Sequence, residues 1–216
     1  IYFQLRNKHR GVLTYKKIFN IAKLLHLFNI NLDIFIRTVL LTFTFLWLTY
    51  QGSKLGEIYL AVNAILMQFI ILASFFLDAY AFSTEAIVGY TIGRKSKNSF
   101  LTVVSNSFKL SIVSGLVISL IYLLTFQLIV DELTNQDYLK FLTYNYIFWI
   151  IVIPPIASIC YQFDGIFIGA SQTAEMRNAM IFSVILFVSS SHFLIKNLGN
   201  HGLWLSLLFL MILRSV

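Results

Sequence analysis

Residues 112–130 read IVSGLVISLIYLLTFQLIV, an apolar run without a single charged side chain. At a rise of 1.5 Å per residue, about 20 apolar residues cross the hydrocarbon core of a bilayer. A second run of this kind covers residues 141–159. A soluble protein needs a polar surface that these runs do not supply, so most of their side chains must face lipid or other membrane helices.

The composition of the whole chain supports this interpretation. The 216 residues are 58% hydrophobic and 12% charged, and the mean hydropathy is +0.81, whereas soluble domains contain about 25% charged residues. The net charge is +7, but the basic residues lie in loops between apolar runs, which disfavours a nucleic-acid partner. The single cysteine, Cys160, lies in an apolar run, and one cysteine forms neither an intrachain disulfide nor a cysteine-based metal cluster.

Hydropathy predicts six membrane spans. They are residues 34–50, 58–92, 99–130, 138–169, 179–195 and 202–216. The predicted fold class is therefore an all-α membrane protein built as a six-helix transmembrane bundle. Before the first span, residues 15–28 form an amphipathic stretch that suits either a helix lying on an anionic membrane surface or a solvated linker helix.

The orientation follows from the distribution of Lys and Arg in short loops. With the N-terminal segment in the cytoplasm, the inner side carries eleven basic residues: Arg6, Lys8, Arg10, Lys16, Lys17, Lys23, Arg94, Lys95, Lys97, Arg177 and Arg214. The outer side carries three: Lys54, Lys140 and Lys196. We therefore expect a multi-pass protein of the cell (inner or plasma) membrane with both ends of the chain in the cytoplasm. Because the chain starts without Met and stops in an apolar run, we also expect it to be part of a longer protein.

Three carboxylates lie within the predicted spans. A carboxylate at mid-bilayer costs about 2.5 to 3.5 kcal/mol on insertion scales, so it is rarely kept without a pathway or a partner. Asp78 and Asp164 lie deepest, and Glu85 follows Asp78 by two helical turns on the same face. We predict that these carboxylates face one cavity and take up protons or ions. Structural hydrogen bonding between helices is the alternative.

Two further features bear on this site. Pro154 and Pro155 lie in the middle of the fourth predicted span, where the missing N–H groups are expected to break or kink the helix. A kink near Asp164 is a common way to build a midplane ion site, although a purely structural kink is equally open. Asp33 and Arg37 are spaced i,i+4 and are predicted to pair with each other at the cytoplasmic end of the first span.

Aromatic side chains flank both deep aspartates. Tyr80 and Phe82 lie beside Asp78, and Tyr161 and Phe167 lie beside Asp164. Aromatic faces combined with carboxylates suit lipophilic cations, so these four residues are predicted to line a substrate cavity. Asn63, upstream on the same span as Asp78, is assigned to that cavity as well.

Five segments, taken together, resemble the DinF branch of the multidrug and toxic compound extrusion (MATE) transporters. They are residues 31–38 (NLDIFIRT), 61–69 (AVNAILMQF), 76–89 (FLDAYAFSTEAIVG), 163–170 (FDGIFIGA) and 173–180 (TAEMRNAM). The resemblance implies a twelve-helix protein of two six-helix lobes. Residues 31–216 would be the C-terminal lobe, and residues 1–30 would be the end of the preceding helix and the cytoplasmic inter-lobe loop.

The family resemblance also implies a function. MATE proteins export organic cations and toxic compounds in exchange for H⁺ or Na⁺, so the expected partners are membrane lipids, small cationic substrates and a missing N-terminal lobe. Asp164 matches the acidic position of the family's helix ten, Asp78 and Glu85 match the helix-eight acidic motif, and Asn63 matches a polar helix-eight position. Ala79 departs from the family pattern, because the branch usually has Gly there.

Two other functions remain open from the sequence. A lipid-linked precursor flippase of the same superfamily should have a strongly cationic cavity instead of carboxylates, and a non-transporting membrane scaffold would use the carboxylates only to bridge helices. An enzyme is not expected, because the sequence contains no His-Glu-x-x-His, no phosphate-binding Gly-rich loop and no Gly-x-Ser-x-Gly. No cofactor is expected beyond the coupling ion.

Overall fold

The computed structural model describes residues 21–215, which form helices joined by short turns. Residues 1–20, and with them most of the segment 1–30 and the start of the amphipathic stretch, lie outside the described residues. The helices are α1 (Ile21–Leu55), α2 (Glu57–Gly93), α3 (Lys97–Leu133), α4 (Asp137–Tyr144), α5 (Ile147–Gly169), α6 (Thr173–Leu198) and α7 (Asn200–Leu213).

Six of these helices correspond to the six predicted spans. Five of them, α1, α2, α3, α5 and α6, are long and apolar enough to cross a membrane, and α7 is a shorter apolar helix. Large apolar side chains such as Leu124 and Leu128 of α3 are about 70% exposed at the surface of the bundle, as expected for a surface that faces lipid. The predicted all-α membrane bundle is confirmed.

Two predicted boundaries differ from the structure. Helix α1 runs without interruption from Ile21, so residues 21–30 are helical and continuous with the first span. The predicted span 138–169 is divided into α4 and α5 at Asn145 and Tyr146. There the backbone N–H groups of both residues bond to carbonyl oxygens only three residues earlier, which tightens the chain into a turn and ends α4.

Glycine determines the turn between α1 and α2. Gly56 is the one residue between the two helices, and its φ is 126°. Residues with a Cβ rarely adopt this backbone conformation. The short turn places α2 antiparallel to α1.

Helix α5 is the central packing element, because it contacts α2 and α3 extensively. Gly165 and Gly169 form a Gly-x-x-x-Gly pair that faces α2. A Cβ added at Gly165 would lie 3.0 Å from the carbonyl carbon of Ala81, and one added at Gly169 would lie 2.5 Å from the carbonyl oxygen of Glu85. Small residues at this spacing let two membrane helices approach through their backbones, so α2 and α5 form a tight pair.

The double proline does not interrupt α5, which continues through Pro154 and Pro155 as one helix. Because Pro155 lacks an N–H group, the carbonyl oxygen of Ile151 loses its helical donor. The hydroxyl of Ser119 on α3 donates to that oxygen at 2.6 Å. Gly115, one turn before Ser119, makes the approach possible, since a Cβ there would lie 2.9 Å from the Cα of Pro155. Of the predicted break or kink, the break does not occur, because a neighbouring helix satisfies the freed carbonyl.

Candidate ion and substrate site

Four charged side chains from different parts of the bundle meet near the C-terminal end of α5. Arg37 of α1 donates from Nη2 to Oδ2 of Asp164 on α5. Arg214, which directly follows α7, donates from Nη2 to the same oxygen at 2.6 Å. Asp78 of α2 interacts electrostatically with all three of these groups. The side chains of Arg214 and Asp164 are only 5% and 13% exposed, so this is an internal charge cluster.

Asp78 lines a cavity of about 130 Å³ between α1, α2 and α5. Its half-buried carboxylate makes no hydrogen bond or ion pair with any residue in the range 21–215. The polar lining also includes Arg37, Ser74 and Tyr161, and the apolar lining consists of Leu41, Phe45, Ile70 and Ile71. The cavity therefore has an aromatic wall, a guanidinium group and an available carboxylate.

The cluster is electrically balanced when all four groups are ionised, because two Arg oppose two Asp. Asp164 alone leaves one positive charge on the two guanidinium groups, and Asp78 supplies the second negative charge. The Nε atom of Arg37 is buried and has no hydrogen-bond partner among the described residues. Buried polar atoms normally have a partner, and the cavity has room for water molecules that could supply one.

The structure corrects the prediction that Asp33 pairs with Arg37. Arg37 instead bonds to Asp164, while Asp33 accepts from Nη1 of Arg177 at 2.5 Å and from the hydroxyl of Thr173 at 2.9 Å. Asp33 is buried against α6, where these two donors satisfy both of its oxygens. Asp33 thus holds α1 to α6, and Arg37 holds it to α5.

The three predicted ion-binding carboxylates do not share one cavity. Asp78 lines it, and Asp164 lies next to it but is held by two Arg. Glu85 does not line it; its carboxylate is half-buried and makes no bond to residues 21–215, and its backbone packs against Gly169. The expectation of a single shared cavity is therefore wrong, because the tight α2–α5 contact at Gly165 and Gly169 lies between the cavity and Glu85. The ion-binding roles themselves stay predictions.

The predicted aromatic lining divides in the same way. Tyr161 lines the cavity beside Asp78. Tyr80 lines a separate groove of about 270 Å³ between α2 and α3, and Phe82 is 66% exposed at the surface. The ring of Phe167 packs against Phe163, with ring centroids 6.3 Å apart. Of these four predicted residues, Tyr161 is the one that the structure brings to the cavity.

Asn63 lies in a different buried polar cluster, between α2 and α7. Its Nδ2 donates to Oδ1 of Asn200 at 2.8 Å, and its Oδ1 accepts from Nδ2 of Asn200 at 2.9 Å and from Nε1 of Trp204 at 2.8 Å. Asn63 is 2% exposed. Asn63 therefore does not line the cavity beside Asp78, because these hydrogen bonds hold α7 to α2 inside the bundle; its substrate role stays a prediction.

Known proteins resemble this chain in both sequence and structure. Residues 34–192 match the family model MatE. The chain belongs to the MATE family. It is 34% identical over 187 residues to the DNA damage-inducible protein F of Escherichia coli. The aligned region covers 87% of this chain and 40% of that relative. It is 24% identical over 180 residues to Protein DETOXIFICATION 43 of Arabidopsis thaliana, covering 83% of this chain and 34% of that protein.

Solved MATE structures share the fold of this chain. A MATE crystal structure in the bent conformation matches this chain with a TM-score of 0.81 at 18% identity. The matched region covers 88% of this chain and 43% of the chain in that structure. An outward-facing multidrug resistance MATE family transporter of the MOP superfamily has a TM-score of 0.75 at 14% identity, with coverages of 85% and 42%. The chain thus spans about two-fifths of the length of the relatives it matches, and its helices have the arrangement of one six-helix MATE lobe.

Proposed function

We propose that this chain is the C-terminal half of a secondary active antiporter that exports organic cations or toxic compounds in exchange for H⁺ or Na⁺. The observation that carries the proposal is Asp78, a half-buried carboxylate on an apolar helix that lines a cavity and has no ion-pair partner within residues 21–215. Such a group is expensive to keep in a membrane unless it binds something. The structural similarity to proteins described as multidrug resistance transporters supports the same function.

Arg37 gives the site a means of coupling. It is the group that both bonds to Asp164 and lines the cavity opposite Asp78. When Asp78 is ionised and the cavity is empty, the two carboxylates compete for Arg37. When a proton or a cation occupies Asp78, Arg37 interacts only with Asp164, to which Arg214 also donates. Occupancy of Asp78 therefore changes the forces between α1, α2 and α5, which is what an ion-driven conformational change requires.

The balanced charge favours cation export over the two alternatives. A flippase for an anionic lipid-linked precursor should have an excess of positive charge in its cavity, but here two Asp offset two Arg. In a scaffold the carboxylates would bridge helices, which describes Asp164 but not Asp78.

The variant that tests the proposal is Asp78→Asn in the full-length protein. We expect it to abolish drug resistance and substrate-induced proton or sodium release while the protein level in the membrane is unchanged. Asp164→Asn is a less specific test, because it also unpairs Arg37 and Arg214. Glu175→Gln, which removes an exposed carboxylate at the start of α6, is the matched control and should transport normally. Full efflux by Asp78→Asn would disprove the assigned role.

We also propose that the protein lies in the cell membrane with the N-terminal side of α1 in the cytoplasm. Arg214 and Arg177 pair with Asp164 and Asp33, and Lys140 pairs with Asp131. Without these three paired residues the imbalance changes from eleven against three to nine against two, with the same sign. Single cysteines placed at Ser96 and Ser53, in a background with Cys160→Ala, test this orientation. A membrane-impermeant maleimide added outside intact cells should label the cysteine at 53 and not the one at 96; the reverse pattern would overturn the orientation.

A further inference from the structure

The turn between α2 and α3 contains a cavity of about 310 Å³, larger than the one beside Asp78 and separate from it. It is lined by Thr91, Ile92, Lys95, Ser96, Lys97 and Phe100. Because this turn joins two membrane-spanning helices, the cavity lies at one end of the bundle.

The polar part of this cavity is cationic and not neutralised by the protein. Neither Lys95 nor Lys97 forms an ion pair with any residue from 21 to 215, and residues 1–20 contain no Asp or Glu. The neighbouring Arg94 is held by Tyr90, since its Nη1 donates to the Tyr90 hydroxyl at 3.0 Å. Two lysines with no carboxylate partner in this part of the chain form a site for an anion.

The rest of the cavity wall is apolar, which indicates the kind of anion. Ile92 is 43% exposed, and Phe100 forms the other side of the cavity. A small soluble anion would leave this apolar surface uncovered, whereas a phospholipid carries its phosphate directly above acyl chains. The Ser96 hydroxyl, 2.8 Å from that of Ser99, adds a donor for phosphate oxygens.

We propose that this cavity binds the phosphate headgroup of an anionic phospholipid, with Lys95 and Lys97 on the phosphate and Phe100 against the start of an acyl chain. Basic pockets between membrane helices are known to recognise anionic headgroups in this way. The site is independent of the transport role assigned to Asp78, so either assignment can fail without the other.

Lys95 makes a selective variant possible. It lies two residues after the end of α2 in the left-handed region, with φ 54°, a conformation that glycine adopts without strain. Lys95→Gly combined with Lys97→Ala therefore removes both charges and keeps the turn. The control variant is Lys54→Ala with Lys196→Ala, which removes two positive charges at the opposite end of the bundle. A second variant, Lys97→Arg, keeps the charge.

The experiment measures binding of phosphatidylglycerol and of phosphatidylcholine to the purified full-length protein by native mass spectrometry in detergent. We expect a bound phosphatidylglycerol whose affinity falls about 30-fold in the Lys95→Gly/Lys97→Ala variant and is unchanged in the control and in Lys97→Arg. Phosphatidylcholine should not bind at this site. Three results would overturn the proposal. The two lipids could bind equally well, the double variant could bind phosphatidylglycerol as well as the wild type does, or millimolar inorganic phosphate could displace the lipid. If the double variant proved unstable, Lys97→Ala alone, with an expected loss of about 5-fold, would decide in the same way.

Discussion

The pair between Arg214 and Asp164 should be strongly coupled energetically, and a double-mutant cycle can measure this. The wild-type cluster has no net charge, Arg214→Met changes the cluster to −1, Asp164→Ala changes it to +1, and the double variant restores neutrality by leaving Arg37 with Asp78. Removing one partner of a buried ion pair costs about 3 to 5 kcal/mol. We expect Arg214→Met near the lower limit, because Arg37 remains on Asp164, and Asp164→Ala near the upper limit.

The double variant should be less destabilised than the sum of the two single variants, with an interaction energy of about 2 to 3 kcal/mol. The assay is the free energy of unfolding of the purified full-length protein in mixed micelles, measured for all four proteins. A control cycle uses Lys140→Met and Asp131→Asn, a pair 3.2 Å apart at the exposed end of the bundle, and should show much weaker coupling. Additivity of the Arg214 and Asp164 variants within about 0.5 kcal/mol would refute the internal charge cluster.

Three further predictions concern the packing of α5. Gly165→Ala should destabilise the fold by about 1 to 3 kcal/mol, because the new methyl group would meet the backbone of Ala81; a thermal unfolding midpoint equal to that of the wild type would contradict this. Ser119→Ala should cost about 0.6 kcal/mol, and at most about 1.7, as the freed carbonyl of Ile151 loses its donor; a larger loss in chemical unfolding would mean that the hydroxyl has another role. Cys160, which is fully buried, should react with N-ethylmaleimide only after unfolding, and rapid labelling of the native protein would place it at a surface.

Each of these predictions has a control at a comparable but unconstrained position. Gly93→Ala adds the same methyl group where no atom lies within 4 Å, so its stability should match that of the wild type. Ser189→Ala removes an exposed hydroxyl that bonds only within its own helix, to the carbonyl of Ile185. For Cys160, complete labelling in denaturant defines the maximum signal.

The bundle could be predicted from sequence because hydropathy reports directly on the solvent of each segment. Hydropathy does not report local backbone bonding, which is why it does not reveal the turn at Asn145 and Tyr146 within the predicted span 138–169. The continuity of α5 through Pro154 and Pro155 cannot be predicted for a related reason. Proline chemistry predicts a freed carbonyl, but the donor that satisfies it, Ser119, lies on another helix.

The site was predicted in part. Asp78 and Tyr161 could be found because a carboxylate and an aromatic residue within apolar spans are visible in the sequence. The sequence does not reveal their companions Arg37 and Arg214 as part of the site. Spacing along one helix suggests Asp33 as the partner of Arg37, and the position of Arg214 near the end of the chain suggests a loop. Arg37 is 127 residues from Asp164, a separation at which no local pattern can identify a pair.

That separation also bears on how the protein is made. If helices enter the bilayer in the order of synthesis, α1 arrives with Asp33 and Arg37 long before α5 and α6 supply Asp164 and Arg177. An uncompensated charge is costly inside the bilayer, up to about 2.5 to 3.5 kcal/mol at the membrane centre, so newly inserted α1 should stay close to the translocation machinery or the membrane surface until its partners emerge. We therefore expect that α1 becomes stably integrated in the membrane only after the later helices α5 and α6 have been made. Cross-linking of α1 to the insertion machinery should persist until α6 has been synthesised.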